Sequence, residues 1–174
     1  RVDESGSTDA YVVVMDDTIV GVMYTQRINA DQYDTLLAGK STYDTQEGSL
    51  DGMSDYKVAD KADNKESVLQ LLGVAVLPEY SQHQLGHVLR NFVLQIAILK
   101  GHMDVIAMTR CSSYSSALSN NNSKQASYTD YVYSYKDPTL VFHNQGGAEI
   151  VSILENYRLA DVQNEGNGVL ISYK

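Results

Sequence analysis

Residues 68–111, VLQLLGVAVLPEYSQHQLGHVLRNFVLQIAILKGHMDVIAMTRC, decide the fold. Leu71 to Leu77 is a nearly unbroken apolar run, the pattern of a strand covered on both faces. Pro78 has no amide hydrogen to give to a ladder and closes the run. The spacing then changes. Leu85, Val88, Leu89, Phe92, Val93, Ile96 and Leu99 recur at helical intervals and predict one apolar stripe of an amphipathic helix. Gly101 suits the position just past its end, with Lys100 near the negative end of its dipole. Val105 to Met108 starts the next strand. Strand, crossover helix and strand of this length predict a βαβ unit, normally parallel and right-handed. In its turn, PEYSQHQLGHVL (78–89), amides not yet engaged by the helix collect beside the positive end of the dipole, where an anion can be held. The plainer reading is that any strand–turn–helix connection ends this way.

On the N-terminal side, Tyr11–Met15 and Thr18–Ile28 read as two strands joined at Asp16-Asp17, a hairpin. Residues 1–9 read as a linker or a cut end. Residues 30–67 are polar and acidic; Leu36 and Leu37 anchor a short helix and the rest reads as a solvated loop. On the C-terminal side, Ser112–Ser127 is polar and of low complexity, a loop by composition. Tyr128–Tyr135 fits a short helix or a strand. Asp137-Pro138 is a turn, and Thr139–Phe142 is a short strand or helical turn leading to His143. Ala148–Tyr157 fits a strand or a two-turn helix. Gly166-Asn167-Gly168 is a tight turn before a closing strand, Val169–Tyr173.

At 174 residues and 43% apolar content, the chain suits one domain, residues 10–174, with a sizeable core. Its net charge of −9 argues against nucleic acid and against an anionic membrane surface. The single cysteine, Cys111, allows neither an internal disulfide nor a thiolate metal cage, so the compartment reads as reducing, that is, cytoplasmic. No run of 18 apolar residues occurs, and the first residues lack a signal-peptide pattern.

The hairpin and the 78–89 turn resemble the GNAT (GCN5-related N-acetyltransferase) fold, an α/β (α+β) architecture with a mixed, twisted central sheet flanked by helices. In that fold a basic, glycine-rich turn after the strand cradles the pyrophosphate of coenzyme A. The residues aligned with it here are Ser81-Gln82-His83-Gln84-Leu85-Gly86. Gly86 matches the last glycine, Gln84 replaces the first, and Ser81 replaces the leading basic residue. A side chain at the first glycine would hinder close approach of a pyrophosphate, so the resemblance implies a weakened coenzyme A grip. It also implies a strand and two helices ahead of the hairpin, which this stretch does not supply; it therefore reads as a fragment of a larger multidomain chain.

The second half carries more specific spacing: T-R-C-S-x-Y from Thr109, D-P-x-L-x-F-H-x-x-x-G-A-x-I-V from Asp137, and N-Y-R-x-x-D-x-x-N-x-G-x-G-V-L-I-x-Y from Asn156. This set resembles the GNAT-like domains in loading modules of modular polyketide synthases. The resemblance implies decarboxylation of a malonyl- or methylmalonyl-type thioester on an acyl carrier protein, making a polyketide starter unit. The implied catalytic residues are Thr109 and His143, with Arg158 orienting substrate or phosphopantetheine. Val74, Val76, Gln84, Leu85 and Gly86 are the implied positions along the phosphopantetheine or coenzyme A arm. The implied partners are the carrier protein and neighbouring synthase domains, an adaptor or a methyltransferase. The family also places a tryptophan in its first lobe, and this chain has none.

The chemistry can be argued from the residue types as well. Losing CO2 from a malonyl thioester leaves an enolate on the thioester oxygen. A preorganised donor aimed there contributes about 3–4 kcal/mol, and holding the carboxylate out of the enolate plane helps it leave. An imidazole such as His143 can donate to the oxyanion, and a hydroxyl such as Thr109 can orient the carboxylate. The thioester is the electron sink, so no metal or organic cofactor is required. Plainer roles compete: a threonine at a strand end is usually structural, a histidine after an apolar run can cap a core, and an arginine is most often in a surface ion pair. His83 and His87, spaced i,i+4, could suit a metal on a helix face, but no third ligand is evident and they read as solvent-facing or near phosphate. His102 reads as a helix-dipole partner. Cys111, on the same side of a strand as Thr109, reads as core. Two alternatives stand beside the decarboxylase: an acyltransferase from coenzyme A to the carrier arm, and a non-catalytic docking module.

Overall fold

The computed structural model describes residues 8–38, 67–120 and 127–173. They fall into two compact units, 8–33 with 67–107 and 34–38 with 108–173. In the first unit, β1 (Thr8–Met15) and β2 (Thr18–Asn29) form an antiparallel hairpin. Its two-residue turn places Asp16 and Asp17 at φ 47° and 61°, the left-handed pair that matches strand twist. β1 begins at Thr8, two residues before the boundary expected at residue 10; residues 1–7 lie outside the described residues, as does most of the acidic stretch expected as loop. The short helix expected around Leu36 is α1 (Ala30–Leu37). It starts on a reciprocal cap: Gln32 N–H donates to Asn29 Oδ1 at 2.8 Å, and Asn29 N–H to Gln32 Oε1 at 3.0 Å.

β3 (Ser67–Val76) pairs antiparallel with β2, and β4 (Asp104–Thr109) pairs parallel with β3, so the sheet is mixed. α2 (Leu85–Lys100) makes the crossover and lies on the β1–β3 part of the sheet. Gly21 lets it come close, since a Cβ there would stand 3.3 Å from Leu89 Cδ1. Two expectations need correction. The β3–β4 ladder runs only from Val68 to Leu71, paired with Asp104 to Ala107. Ser67–Leu71 is accordingly buried, whereas Gly73, Val74 and Ala75 are exposed; the apolar run does not signify two covered faces. The helical stripe is also narrower than its spacing suggests. Leu89, Val93 and Ala97, one row at intervals of four, are buried, while Val88, Phe92 and Leu99 are more than half exposed.

α2 ends on Gly101 (φ 71°), whose left-handed backbone caps the last turn. His102 follows, at the helix end where it was expected. Its Nδ1 lies 2.9 Å from the Ser67 hydroxyl, and burial lowers its pKa, which weakens any charged interaction with the dipole.

The second unit contains α3 (Tyr114–Asn120), α4 (Tyr128–Tyr133), α5 (Pro138–Asn144), and the antiparallel hairpin of β5 (Ala148–Leu154) and β6 (Gly168–Tyr173). Every residue of β6 is buried. α3 corrects the loop read from composition at Ser112–Ser127. Tyr114 is buried there and meets Tyr128 edge-on, ring centroids 4.9 Å apart, and this packing outweighs the weak helix propensity of a serine-rich segment. β4 stops at Thr109, so Cys111 is not on a strand and alternation does not place it; the turn after β4 carries it into the core, where it is buried.

Candidate functional site

Of the residues expected to hold a pantetheine or coenzyme A arm, all five lie in the first unit. Val74 and Val76 are on the stretch of β3 that has run past its pairing with β4, and Val74 is exposed. The chain then takes a 3-10 turn, Pro78–His83, started by a proline at its first position. Gln84 follows at φ 54°, ψ 26°, both the end of that turn and the N-cap of α2. It thus adopts the left-handed conformation that a glycine would supply, with its side chain exposed. Leu85 and Gly86, half-buried, open the helix. The hindrance expected at Gln84 would therefore come from its Cβ and side chain, not from its backbone conformation. The same left-handed residue separates His83, in the 3-10 turn, from His87, in α2. They do not share a helix face, and among the described residues no group of three histidine, cysteine or acidic side chains could hold a metal.

Thr109, His143 and Arg158 all lie in the second unit. Thr109 is the last residue of β4 and is half-buried. His143 is in the last turn of α5, half-buried, with its Nδ1 2.5 Å from the Tyr173 hydroxyl. Tyr173 is itself buried at the end of β6, opposite Ala148 at the start of β5. Arg158 is exposed in the turn between β5 and β6, where its amide donates to Gly166 O at 2.8 Å.

One network fastens the segments that carry these three residues. Asp137 is wholly buried. It accepts from Thr139 N–H (2.9 Å) as N-cap of α5, from Ser113 N–H (2.9 Å) and the Ser112 hydroxyl (3.4 Å) in the turn after Thr109, and from the Tyr131 hydroxyl (3.4 Å) on α4. On the other side of that turn, Arg110 pairs with Asp161 at 3.0 Å, and Cys111 N–H donates to Asn164 Oδ1 at 3.1 Å. Asp161 and Asn164 belong to the loop that carries Arg158. The segment just after Thr109 is thus tied to the start of the His143 helix and to the Arg158 loop. Burial raises the Cys111 thiol to about 12, with the Asp137 carboxylate adding to the shift, so the thiol is neutral and no nucleophile. Asp137 and Tyr173 stand in the quoted motifs, but the sequence assigns neither of them a partner. The Asp-Pro pair, read as a turn, is also the signature of an N-cap followed by proline at the first helical position; the pairing of Tyr173 with a histidine 30 residues earlier leaves no local signal.

The mixed sheet with its crossover helix and C-terminal hairpin defines the GNAT fold. The ribosomal-protein-S18-alanine N-acetyltransferase of Escherichia coli shares it at 12% identity, with a TM-score of 0.55 over 98% of this chain and 70% of that one. Two matches are much nearer. The loading GNAT-like domain of CurA from Lyngbya majuscula is 30% identical, with a TM-score of 0.70 over 95% of this chain and 75% of that one. The GphF GNAT-like decarboxylase, solved with isobutyryl-CoA, is 28% identical, with a TM-score of 0.68 over 94% and 76%. The chain belongs to the GNAT-like family of polyketide synthase loading domains. No family model and no curated protein matches it. Among the described residues, no helix is long and apolar enough to cross a membrane.

Proposed function

We propose that this chain decarboxylates a malonyl- or methylmalonyl-type thioester carried on the phosphopantetheine arm of an acyl carrier protein, providing a starter unit to neighbouring synthase domains. The observation that carries this reading is the match to a GNAT-like decarboxylase over 94% of the chain. The retention of Thr109 and His143 on fastened segments supports it. The C–C bond to the carboxylate breaks, CO2 leaves, and the electron pair passes to the thioester oxygen as an enolate. His143 donates to that oxygen, and a preorganised donor there lowers the barrier by about 3–4 kcal/mol. Thr109 holds the departing carboxylate by one hydrogen bond. The α-carbon then takes a proton from water, and the carrier keeps the shortened acyl group. Arg158, at the exposed edge of its unit, attracts the phosphate of the arm. The thioester itself accepts the electrons, so no metal or organic cofactor takes part. Incubation with malonyl-loaded carrier protein should show loss of the mass of CO2; an unchanged mass, with loading verified, overturns the reading.

A second reading, acyl transfer from coenzyme A to the carrier arm, is favoured by one observation: Gln84 keeps the left-handed backbone of a phosphate-binding turn. Calorimetry with acetyl-coenzyme A separates the two readings when joined to a transfer assay. Tight binding with transfer of the acetyl group to unloaded carrier protein supports it; binding without transfer returns the function to decarboxylation.

A further inference from the structure

We propose that Tyr173 is a positioning residue that fixes the tautomer of His143, so that Nε2–H is the donor presented to the thioester oxygen. The proposal rests on the decarboxylase reading for its consequence in catalysis, but not for the tautomer itself. Tyr173 Oη and His143 Nδ1 stand 2.5 Å apart. Of these two groups the phenol is the better proton donor and the neutral imidazole nitrogen the better acceptor, so the hydrogen bond runs from the hydroxyl to Nδ1. A neutral ring that accepts at Nδ1 carries its proton on Nε2.

The scaffold leaves this pair little freedom. Tyr173 is 6% exposed and closes a strand buried along its whole length. Its partner across the hairpin is Ala148, only five positions after His143. The three-residue link between α5 and β5 is drawn in by Asn144 Nδ2 donating to Ala148 O at 3.4 Å, and it turns on Gly147 at φ 88°. Phe142 and Tyr173 each meet the imidazole edge-on, with centroids 5.0 and 6.0 Å away. Ring orientation and proton position are thus set by β6, an element that contributes no other candidate to the site.

Tyr173→Phe removes one hydroxyl and leaves the ring to pack. 15N NMR of the histidines, with His143 assigned by its absence in His143→Gln, should show Nδ1 unprotonated and Nε2 protonated in the native protein. The Phe variant should show a mixture of both forms. Turnover of malonyl-loaded carrier protein should fall about tenfold to a hundredfold in kcat, the usual cost of losing a partner that orients an active-site ligand, with KM within about twofold. His143→Gln, whose amide nitrogen can reach the place of Nε2, should retain more activity than His143→Asn, whose amide mimics Nδ1. A native ring protonated at Nδ1, or a Phe variant with the native tautomer, overturns the proposal. Native 15N shifts as expected in a protein that releases no CO2 would sustain the assignment of the tautomer while removing the decarboxylase reading.

Discussion

Gln84 stands where a glycine would serve a pyrophosphate, on a backbone already in the glycine conformation. An L-residue held left-handed is strained by about 1–2 kcal/mol, and glycine would relieve that strain while adding freedom to the unfolded chain. Gln84→Gly should therefore change stability by less than about 1 kcal/mol in urea melts. It should tighten acetyl-coenzyme A by about tenfold in calorimetry, the yield of one recovered hydrogen bond to phosphate; an unchanged affinity means that another residue weakens the grip. Thr109→Val tests the role proposed for Thr109, since it keeps the shape and deletes the hydroxyl. Losing one hydrogen bond to a carboxylate is worth about 1.5–3 kcal/mol, so CO2 release should slow by about tenfold to a hundredfold. Melting within a few degrees of native would show that the loss is chemical. Thr109 and His143 are singled out only through resemblance, by the characteristic spacing of their motifs: neither a strand-end threonine nor a histidine after an apolar run identifies itself, and their roles stand as proposals. Tyr173 ends one of the quoted motifs, but its contact with His143 was not legible, since a contact across 30 residues exists only once α5, β5 and β6 are placed.

Among the elements, α5 depends on Asp137 more than on its own seven residues, for an isolated helix of that length is not stable. The buried carboxylate caps the helix and accepts from the partly buried Ser113 N–H. Asp137→Ala removes the cap and leaves a partly buried amide without its acceptor, a destabilisation of about 2–4 kcal/mol. Asp137→Asn keeps one acceptor and should cost roughly half as much in the same urea titration. Gly168 tests the hairpin: a Cβ there would come within 2.7 Å of Tyr157 Cδ1, so Gly168→Ala must displace that ring and should destabilise by about 1–3 kcal/mol. The βαβ unit could be read from periodicity alone because strand and helix periods differ. The exposure of the far half of β3 could not, since an apolar run is the same string whether or not a neighbouring strand accompanies it to the end. α3 was hidden for the converse reason: its serines favour no element, and Tyr114 makes it a helix only by finding Tyr128 to pack against.

For the molecule as a whole, charge is unevenly tolerated across the pH scale. In the second unit Cys111, Tyr114 and Tyr131 are each raised to about 12, and Tyr128 is raised further, all chiefly by burial. These groups are acids whose folded-state pKa lies above the unfolded value of 9.0 for the thiol and 10.0 for the phenols. Their neutral forms contribute stability that is complete below about pH 9. Above it the unfolded chain releases protons that the native chain keeps, and stability falls as pH climbs toward 12. On the acid side His102 behaves in the opposite sense. Its pKa is lowered by burial, so its contribution is complete above the unfolded value of 6.5 and is lost as pH falls through the folded one. The midpoint of urea unfolding should hold level between these limits, fall beyond pH 9, and fall again below pH 6. Ser67→Ala removes the hydroxyl beside His102 and Cys111→Ala removes the thiol. Cys111→Ala should make only the alkaline limb shallower, chiefly near its onset at pH 9, and Ser67→Ala should alter only the acid one. An alkaline limb unchanged in Cys111→Ala would assign that limb to the three tyrosines, and a subsequent Tyr131→Phe substitution should then make it shallower without abolishing it.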